Sequence, residues 1–538
     1  MDAFERLVTA ALGGGAPSSH AATPVHVESV PQSRRGDVRA TVDGRSRPAD
    51  LAAAAAGAGI AERWEVDGSW LYLRLPVASM VDAAAAAVLE DGDRYGAGAC
   101  SVPAAVELRF SDPNLNKPLH LGHLRNNFLG MALSGLYADA GAAVRRVTVH
   151  SDWGRHVAQT VVAYRRFGRG TPDDAGIKGD HFVGRLYTRF HAHCDPALHS
   201  EADDVLRRMH EGDPETCREA ARLTRWCEAG IAQTYERIGS TFDEAYRESD
   251  FVGAGIDIVR AAHDAGLFRA RADGAVVATV ERDGDDAEVV LLRPDGTPVF
   301  FVATLGIDHA RYVKGASVVQ VGGAEWRRGL SDYVQLLERL QAPWLASWRG
   351  VYYGMVELPE GRMQSRAGRF VDADALLADL AAHLRREGRL AGAPEDHAVA
   401  ALKLYVLRVP RRLPLAYDRD ELLRFSATGY RRVAAVADWA AGRGPDRADG
   451  AATSSPTTAR RVAVLLNSFP AVLQKATERD EPATVAQYVL ELARWADALR
   501  VNGAAPDRLR RAIGTVLGRC EAVLNLRVPV EHAVAVAS

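Results

Sequence analysis

The chain has 538 residues, of which 47% are apolar and 25% charged, and a formal net charge of −3, which is the composition of a globular protein of about two to four domains. Its five cysteines include no C-x-x-C pair, so the sequence predicts neither a disulfide framework nor a zinc ribbon, and we expect no metal site. No apolar stretch is long enough to span a bilayer and no secretory signal precedes the first domain, so we expect a cytoplasmic monomer without membrane partners.

The first region predicts a small α+β domain over residues 1–95. A Gly/Ser/Pro-rich opening at 13–24 precedes an Ala-rich stretch at 49–61 that predicts a helix. Alternating apolar residues at 69–75 then predict a strand.

The next elements enclose the most informative loop. Period-two alternation predicts strands at 106–110 and 143–150, with a helix at 126–140 between them. The Pro-rich loop SDPNLNKPLHLGHLR, residues 111–125, joins the first strand to the helix. This order is half of a nucleotide-binding α/β fold, with the loop at the carboxyl end of a strand, where such folds bind ligands.

The residue types in this loop favour a phosphate ligand. His120 and His123 lie at the predicted helix N-terminus, so both imidazoles can face a phosphate held by free backbone N–H groups. Gly122 between them leaves room for a flat base. Lys117 is one of only five lysines among 66 basic residues, which favours a site that needs a compact ammonium. Taken alone, an H-x-G-H pattern is a moderate signal that also arises by chance.

The remaining sequence predicts the second half of this fold and then a helical region. A long insertion lies at about 160–300. After it the sequence predicts a strand at 317–322, a helix at 325–340, a strand at 351–358, a loop at 359–369 and a helix at 372–389. Residues 391–538 have helical periodicity at 396–440, 461–476 and 482–500, with a Gly/Ala/Ser/Pro/Thr stretch at 442–458. This region has 21 Lys and Arg against 16 Asp and Glu, a net charge of +5, which fits a nucleic-acid-binding surface or an ordinary solvated one.

The pattern P-N-x-x-K-P-x-H-x-G-H-L-R at 113–125 resembles the ATP-binding signature of class I aminoacyl-tRNA synthetases, in the extended form typical of arginyl-tRNA synthetases. Family-like segments extend the resemblance over nearly the whole chain: RRGDVRA at 34–40, DGSWLYLRL at 67–75, HFVGRLYTRF at 181–190, DGAVVATV at 273–280 and the run from Phe469 to Val501. The resemblance implies an α/β, Rossmann-like catalytic domain at 100–390, an N-terminal domain that contacts the tRNA elbow, and a C-terminal α-helical anticodon-binding-like bundle at 391–538.

The family's reaction implies a role for the loop residues. Class I synthetases use ATP and Mg²⁺ to form an aminoacyl-adenylate, by attack of an amino-acid carboxylate on the α-phosphorus, without a protein nucleophile. Catalysis is therefore positioning and stabilisation of phosphoryl charge. The resemblance assigns these catalytic roles to His120, His123 and Lys117, and places Gly122 at the bound ATP.

The family's second signature corresponds to residues 362–366. The resemblance assigns ATP binding to Met363, Ser365, Arg366 and Gly368. Arginyl enzymes often lack the second lysine of this signature, and Lys117 is thought to take over its role. The alternative interpretation of this segment is a surface turn of a long β–α connection.

The family's amino-acid site is altered in this sequence. Asn114 matches the residue that holds the α-amino group, and Asp152 belongs to a D-W-G motif that the family shares. Arg109, however, stands where arginyl enzymes have a carboxylate five residues before that asparagine. Phe300 and Thr304 stand at the expected Tyr and Asp, and Glu325 at a glutamine. A buried guanidinium needs paired anions, so these changes predict poor arginine binding.

Two of these assignments have an alternative interpretation, one at the amino-acid site and one in the C-terminal region. A shift of the alignment would place Glu107 and Asp308, two and four residues away, at the carboxylate positions. The segment TGYRRVAAVAD at 428–438 keeps only Gly429 and Tyr430 of a tRNA-contacting helix and is otherwise an ordinary amphipathic helix.

The preferred interpretation is a divergent enzyme that activates another amino acid, with tRNA or a small molecule as acceptor. The rival hypotheses are a housekeeping arginine–tRNA ligase and a non-catalytic tRNA-binding protein.

Overall fold

A computed structural model describes residues 2–13, 25–29, 36–42, 48–193, 195–312, 315–359, 361–362, 370–388, 390–443, 455–502 and 505–529. Within these ranges, no helix is both long and apolar enough to cross a bilayer.

The N-terminal region is an antiparallel sheet packed against helices. Its strand order is β1-β2-β4-β3. The elements are α1 (Ala3–Gly13), β1 (Val25–Ser29), β2 (Val38–Val42), α2 (Pro48–Gly57), β3 (Arg63–Asp67), β4 (Trp70–Arg74) and α3 (Val77–Asp91). Leu71 and Leu73 are fully buried while their neighbours on β4 are only partly covered, as the alternation of a one-sided sheet predicts.

The centre of the molecule is a parallel sheet of five strands in the order β12-β11-β5-β6-β7. Its strands are β5 (Ala105–Arg109), β6 (Ala143–His150), β7 (Glu244–Arg247), β11 (Ala316–Gly323) and β12 (Trp348–Tyr353). Strand β6 follows β5 through α4 (Leu121–Asp139) and pairs with one edge of β5. Strand β11 comes later in the chain and pairs with the other edge of β5. The order therefore reverses at β5, and a crevice opens at the carboxyl ends of β5 and β11, where parallel sheets bind ligands.

A largely helical insertion separates β6 from the return of the chain to the sheet. It contains α5 (Arg155–Phe167), α6 (Pro172–Ala175), α7 (Gly179–Ala192), α8 (Pro196–His210) and α9 (Pro214–Ile238). After β7 come α10 (Glu248–Asp264), a three-stranded sheet of β8 (Arg269–Ala270), β9 (Val276–Arg282) and β10 (Asp285–Leu292), and α11 (Phe300–Arg311). Helices α10 and α11 pack closely, since a Cβ on Gly255 would lie 1.8 Å from the Val302 carbonyl oxygen.

The strand predicted at 351–358 is interrupted. After α12 (Arg327–Arg339), β12 ends at Tyr353, and a second strand, β13 (Val356–Leu358), pairs with β14 (Gly361–Arg362) and β15 (Leu415–Ala416). The Gly354 N–H donates to the Arg411 carbonyl at 2.7 Å, and a Cβ on Gly354 would lie 2.3 Å from the Leu413 carbonyl oxygen. A loop of the C-terminal region docks at this point and turns the chain out of the sheet.

The C-terminal region is a helical bundle. Its helices are α14 (Pro394–Leu407), α15 (Arg419–Phe425), α16 (Arg431–Ala440), α17 (Pro456–Glu478), α18 (Ala483–Val501) and α19 (Asp507–Leu524), and α13 (Ala373–Glu387) precedes them. A π-helical turn, Ser426–Tyr430, joins α15 to α16 without a break. Tyr430 is fully buried there, with its hydroxyl 2.6 Å from His397 Nδ1. The predicted α/β class with a nucleotide-binding-type parallel sheet is confirmed, whereas the domain limits remain predictions.

Candidate active site

The chain leaves β5 through two residues in a strained conformation. Ser111 and Asp112 have φ angles of 76° and 43°, a region that non-glycine residues adopt at a cost. The Ser111 N–H donates to Asn126 Oδ1 at 2.6 Å. The Asp112 carboxylate accepts the Val149 N–H at 2.8 Å and the Gln320 amide at 2.7 Å. Contacts from α4, β6 and the end of β11 thus force the turn that carries the loop into the crevice.

His120 and His123 lie together at the start of α4. The backbone N–H of His120, the N-cap residue, donates to His123 Nδ1 at 3.1 Å, and the two rings stack with centroids 3.8 Å apart. Because Nδ1 accepts this bond, the neutral His123 ring has its proton on Nε2. Within the described residues, His120 Nδ1 is buried without a hydrogen-bond partner. This pair therefore offers ring nitrogens to a ligand beside a helix N-terminus.

Both histidines are neutral at physiological pH. Burial, and next the charge of Lys117, lower the pKa of His120 to about 3. Burial also lowers the pKa of His123 well below its ordinary value, and the neighbouring His120 and Lys117 add to the effect. The two rings can donate hydrogen bonds to phosphate oxygens, while Lys117 supplies the formal positive charge.

The insertion fixes the backbone around Lys117. A Cβ on Gly184 of α7 would lie 2.7 Å from Pro118 Cδ and 3.4 Å from the Lys117 Cα. The buried Cys227 thiol of α9 contacts the Lys117 carbonyl oxygen at 3.6 Å. Helices α7 and α9 of the insertion therefore pack against the loop and hold its backbone in place.

The second predicted ATP-binding segment is described only at its two ends. Met363, Ser365, Arg366 and Gly368 lie outside the described residues. At the exit of that segment, the Leu121 N–H donates to the Val371 carbonyl at 2.9 Å, and the Ala373 N–H donates to the Leu119 carbonyl at 3.1 Å. The described exit of the segment, at residues 371–373, therefore lies against the first loop.

A cavity of about 200 Å³ lies beside the loop. Its wall includes Asn114, Ser151, Gly154, His156 and Phe300. The His156 Nε2–H donates to the Ser151 carbonyl at 2.9 Å, and burial lowers the pKa of His156 to about 4. The predicted α-amino ligand, Asn114, is exposed and belongs to the same cavity as the D-W-G motif.

Of the other predicted amino-acid-binding residues, Phe300 lines the cavity, whereas Asp152, Thr304 and Glu325 are not among the described residues of its wall. Phe300 is 46% exposed and packs on Trp326, with ring centroids 4.9 Å apart, next to the exposed Glu325. Thr304 is half-buried one helical turn after Phe300. The Asp152 carboxylate accepts both the N–H and the hydroxyl of Ser249, at 3.0 and 2.6 Å. Asp152 thus fixes the start of α10.

Arg109 is the centre of a buried ionic cluster. Its side chain is 2% exposed; Nε donates to Glu107 at 2.6 Å and Nη1 donates to Asp308. The remaining Asp308 oxygen accepts the Tyr333 hydroxyl, and the remaining Glu107 oxygen accepts from Arg145. Burial alone would lower the pKa of Arg109, but the attraction of Asp308 and Glu107 outweighs it and raises this pKa. Both carboxylates therefore already hold a guanidinium of the protein.

Glu248 was not predicted from the sequence. Of the cavity-wall residues, it has the pKa that lies furthest from its ordinary value. It begins α10, directly after β7, and its carboxyl group accepts the Ser151 hydroxyl at 2.7 Å. Burial raises the pKa of Glu248 to about 8. The available signal was its position, since an acidic residue that follows a parallel strand lies at the ligand-binding edge of the sheet.

Comparison with known proteins agrees with this geometry. Residues 86–386 match the model of the catalytic domain of class I (R) tRNA synthetases. The chain is therefore a class I aminoacyl-tRNA synthetase in its catalytic fold, and a ligase. Within this class it belongs to the arginyl-tRNA synthetase family, which confirms the resemblance read from the loop.

The relatives share most of the chain. It is 33% identical over 438 residues to an arginine–tRNA ligase of Amoebophilus asiaticus, covering 72% of each chain. It is 30% identical over 468 residues to that of Bacteroides thetaiotaomicron, covering 79% of this chain and 78% of the relative. The arginyl-tRNA synthetase structure of Thermus thermophilus has a TM-score of 0.68 at 21% identity, with 97% of both chains covered. That of Plasmodium falciparum has a TM-score of 0.66 at 11% identity, with 99% of both chains covered. These structures show the shared fold.

Proposed function

We propose that the protein activates an amino acid other than arginine as its adenylate, and transfers the aminoacyl group to an acceptor hydroxyl or amine. The observation that carries this proposal is the buried Arg109 guanidinium, bound by Glu107 and Asp308. The acceptor is tRNA or a small molecule.

The loop after β5 supplies the groups for adenylation. One carboxylate oxygen of the amino acid attacks the α-phosphorus of ATP, and pyrophosphate leaves. The neutral rings of His120 and His123 donate hydrogen bonds to phosphoryl oxygens, and Lys117 offsets their charge. Mg²⁺ bound with ATP would supply further neutralisation of the phosphate charge.

We assign no Mg²⁺ ligand on the protein. Asp180, His181 and Asp374 form a group whose ligand atoms are close enough to hold a metal ion. The Lys178 ammonium already lies among them, 2.5 Å from Asp374 and 3.2 Å from Asp180. This group is therefore satisfied by a cation of the protein itself.

The charges of the buried Arg109 cluster and of the cavity wall disfavour a guanidinium substrate. Glu107 and Asp308 are paired with Arg109, and Arg109 would repel a second guanidinium. Glu248, whose pKa is about 8, is mainly protonated at neutral pH and offers little compensating charge. These features favour an acidic or neutral polar amino acid.

Pyrophosphate exchange across a panel of amino acids, with and without bulk tRNA, tests the proposal. We expect free arginine to be a poor substrate and an acidic or neutral polar amino acid a better one. The double substitution Arg109→Glu, Thr304→Asp should move the preference toward arginine, because it removes the repulsion and adds two anions. Efficient arginine activation by the unaltered protein would contradict the proposal.

The same assay has a control that is independent of specificity. His120→Ala, His123→Ala and Lys117→Ala should each lower exchange with every accepted amino acid by about 10²–10³, the usual effect of removing one charge-stabilising donor. Unchanged rates in all three variants would reject the site.

A housekeeping arginine–tRNA ligase is the second candidate, because relatives at 30–33% identity are arginine–tRNA ligases. Exchange with arginine alone would support it. A lack of exchange with every amino acid would contradict both candidates. Cytoplasmic location and a monomeric state remain predictions from the sequence.

A further inference from the structure

Arg125 extends a buried guanidinium from the second turn of α4. Its side chain is 1% exposed. Nη2 donates to the carbonyl oxygens of Leu413 at 2.6 Å and Arg411 at 3.2 Å, and Nη1 donates to that of Met355 at 3.3 Å. Burial lowers the pKa of Arg125 to about 10, so the group stays charged at neutral pH.

The carbonyls that Arg125 contacts belong to two other parts of the molecule. Met355 lies between β12 and β13, on the path to the second ATP-binding segment. Arg411 and Leu413 follow α14 in the C-terminal region. The Leu415 N–H donates to the Met355 carbonyl at 2.8 Å, so these two parts also contact each other. Arg125 therefore stands where the histidine-bearing helix, the approach to the second segment and the C-terminal region meet.

We propose that Arg125 is a positioning residue, through which the C-terminal region fixes the placement of the histidine-bearing end of α4 relative to residues 371–373. The inference rests on the proposed adenylation at His120 and His123. Arg125 lies two positions after His123 on a rigid helix, an axial distance of about 3 Å. A displacement of the loop at 410–413 is thereby transmitted to the phosphate-binding end of α4.

The chemistry explains why this position holds arginine. A planar guanidinium has five donors in a fixed fork and can satisfy carbonyls from separate segments at once, whereas an ammonium is a single point with three donors. Arg125→Lys should therefore keep the charge and lose the geometry.

The test compares Arg125→Gln and Arg125→Lys with Arg349→Gln. Arg349 crosses the same interface, bound to Asp480 at 2.6 Å and to Tyr137 at the far end of α4, also at 2.6 Å. We expect Arg125→Gln to lower kcat for pyrophosphate exchange about 10- to 100-fold, as misplacement of reacting groups by about 1 Å does. KM for the amino acid should change less than about twofold, since the cavity is untouched, and Arg125→Lys should restore little of kcat. Arg349→Gln should keep kcat within about twofold of the unaltered protein. Equal kcat values for Arg125→Gln and Arg349→Gln would overturn the inference.

A second variant disturbs the contacts of Arg125 from the loop at 410–413. In Gly354→Ala, the new Cβ would lie 2.3 Å from the Leu413 carbonyl oxygen, so it should push that loop off Arg125 without changing the guanidinium. We expect the same selective loss of kcat, even if Arg125→Gln fails to fold. Wild-type kcat in Gly354→Ala would count against the inference.

Hydrogen exchange separates this inference from the proposed function. If the unaltered protein activates no amino acid, the proposed function fails, but amide exchange still reports the placement of the segments. Arg125→Gln, or Gly354→Ala in its place, should speed exchange at the Leu121 and Ala373 amides, which join the first loop to residues 371–373. Arg349→Gln should leave them protected. Equal protection in all three variants would overturn the inference independently of activity.

Discussion

Glu248 is a carboxyl group that folding keeps protonated. It is 6% exposed and accepts one hydrogen bond, from Ser151. Burial raises its pKa from 4.5 to about 8. Between these values the folded protein retains a proton that the unfolded chain releases, so this group makes stability fall as pH rises through that window.

We therefore predict that Glu248→Gln flattens the dependence of stability on pH. The free energy of unfolding of the unaltered protein should fall more steeply between pH 5 and pH 8 than that of the variant, by about 2–4 kcal/mol over the window. Urea unfolding at both pH values measures this difference. The exposed Glu215→Gln is the control and should keep the original slope. Equal slopes for Glu248→Gln and the unaltered protein would contradict the prediction.

For single residues, the sequence predicted where a side chain lies in its helix or strand better than it predicted the side chain's ion-pair partner. It placed His120 and His123 at a helix N-terminus, because a local pattern suffices for that. It assigned Arg109 to the amino-acid site, but Arg109 pairs with Asp308, 199 residues away. Such a partner is set by how α11 packs on the sheet, which no local spacing contains.

A cluster of ionic side chains links α7 and α13. Lys178 Nζ donates to Asp374 at 2.5 Å and to the Thr234 hydroxyl at 2.6 Å, and His181 Nε2 lies 3.2 Å from Asp374. Since α13 begins at Ala373, shortly after the segment predicted to bind ATP, the cluster fastens the described exit of that segment to the insertion.

Removing the cation of this cluster should destabilise the protein. Lys178→Met leaves Asp180, which is fully buried, without its ammonium. We predict a loss of about 1–3 kcal/mol in the free energy of unfolding, less than for a wholly buried pair because Lys178 is partly exposed. Denaturant unfolding gives the value. Lys475→Met, at an exposed lysine, should change it by less than about 0.5 kcal/mol, and equal effects of the two substitutions would argue against the cluster's role.

The bounds of helices and strands were predicted correctly where the local sequence alone determines them. The strand expected at 143–150 has those bounds, whereas the helix expected at 126–140 begins earlier, at Leu121. The Pro-rich loop concealed the helix start, because His120, an unusual N-cap residue, provides it. The strand at 351–358 divides because the Arg411 and Leu413 carbonyls approach Gly354 from another region.

For the whole molecule, the charge distribution sets the expected behaviour toward tRNA. Residues 391–538 have 21 basic and 16 acidic residues, a net charge of +5. Several of the arginines are paired, for example Arg419 with Asp379 and Arg461 with Glu491. Such pairing reduces the positive charge available to a phosphate backbone.

We predict adenylation without tRNA, and at most weak tRNA binding that declines steeply with added salt. Each phosphate contact contributes counter-ion release, so a modestly basic surface should hold tRNA loosely at physiological ionic strength. Filter binding over a salt series, paired with exchange assays, measures both properties. Tight binding at physiological salt, together with activation only in the presence of tRNA, would refute the prediction.

The π-helical turn at Ser426–Tyr430 has a consequence for the rotational phase of the bundle. A π turn holds one residue more than an α-helical turn, and one residue corresponds to about 100° of rotation. If this turn became α-helical with all its residues kept, every later side chain would be rotated by that angle. Tyr430 would leave His397, and the face of α16 that packs against α18 would turn toward solvent. Deletion of Thr428 would instead let α15 run into α16 as one regular helix in its present orientation, because the π turn is where the surplus residue is accommodated.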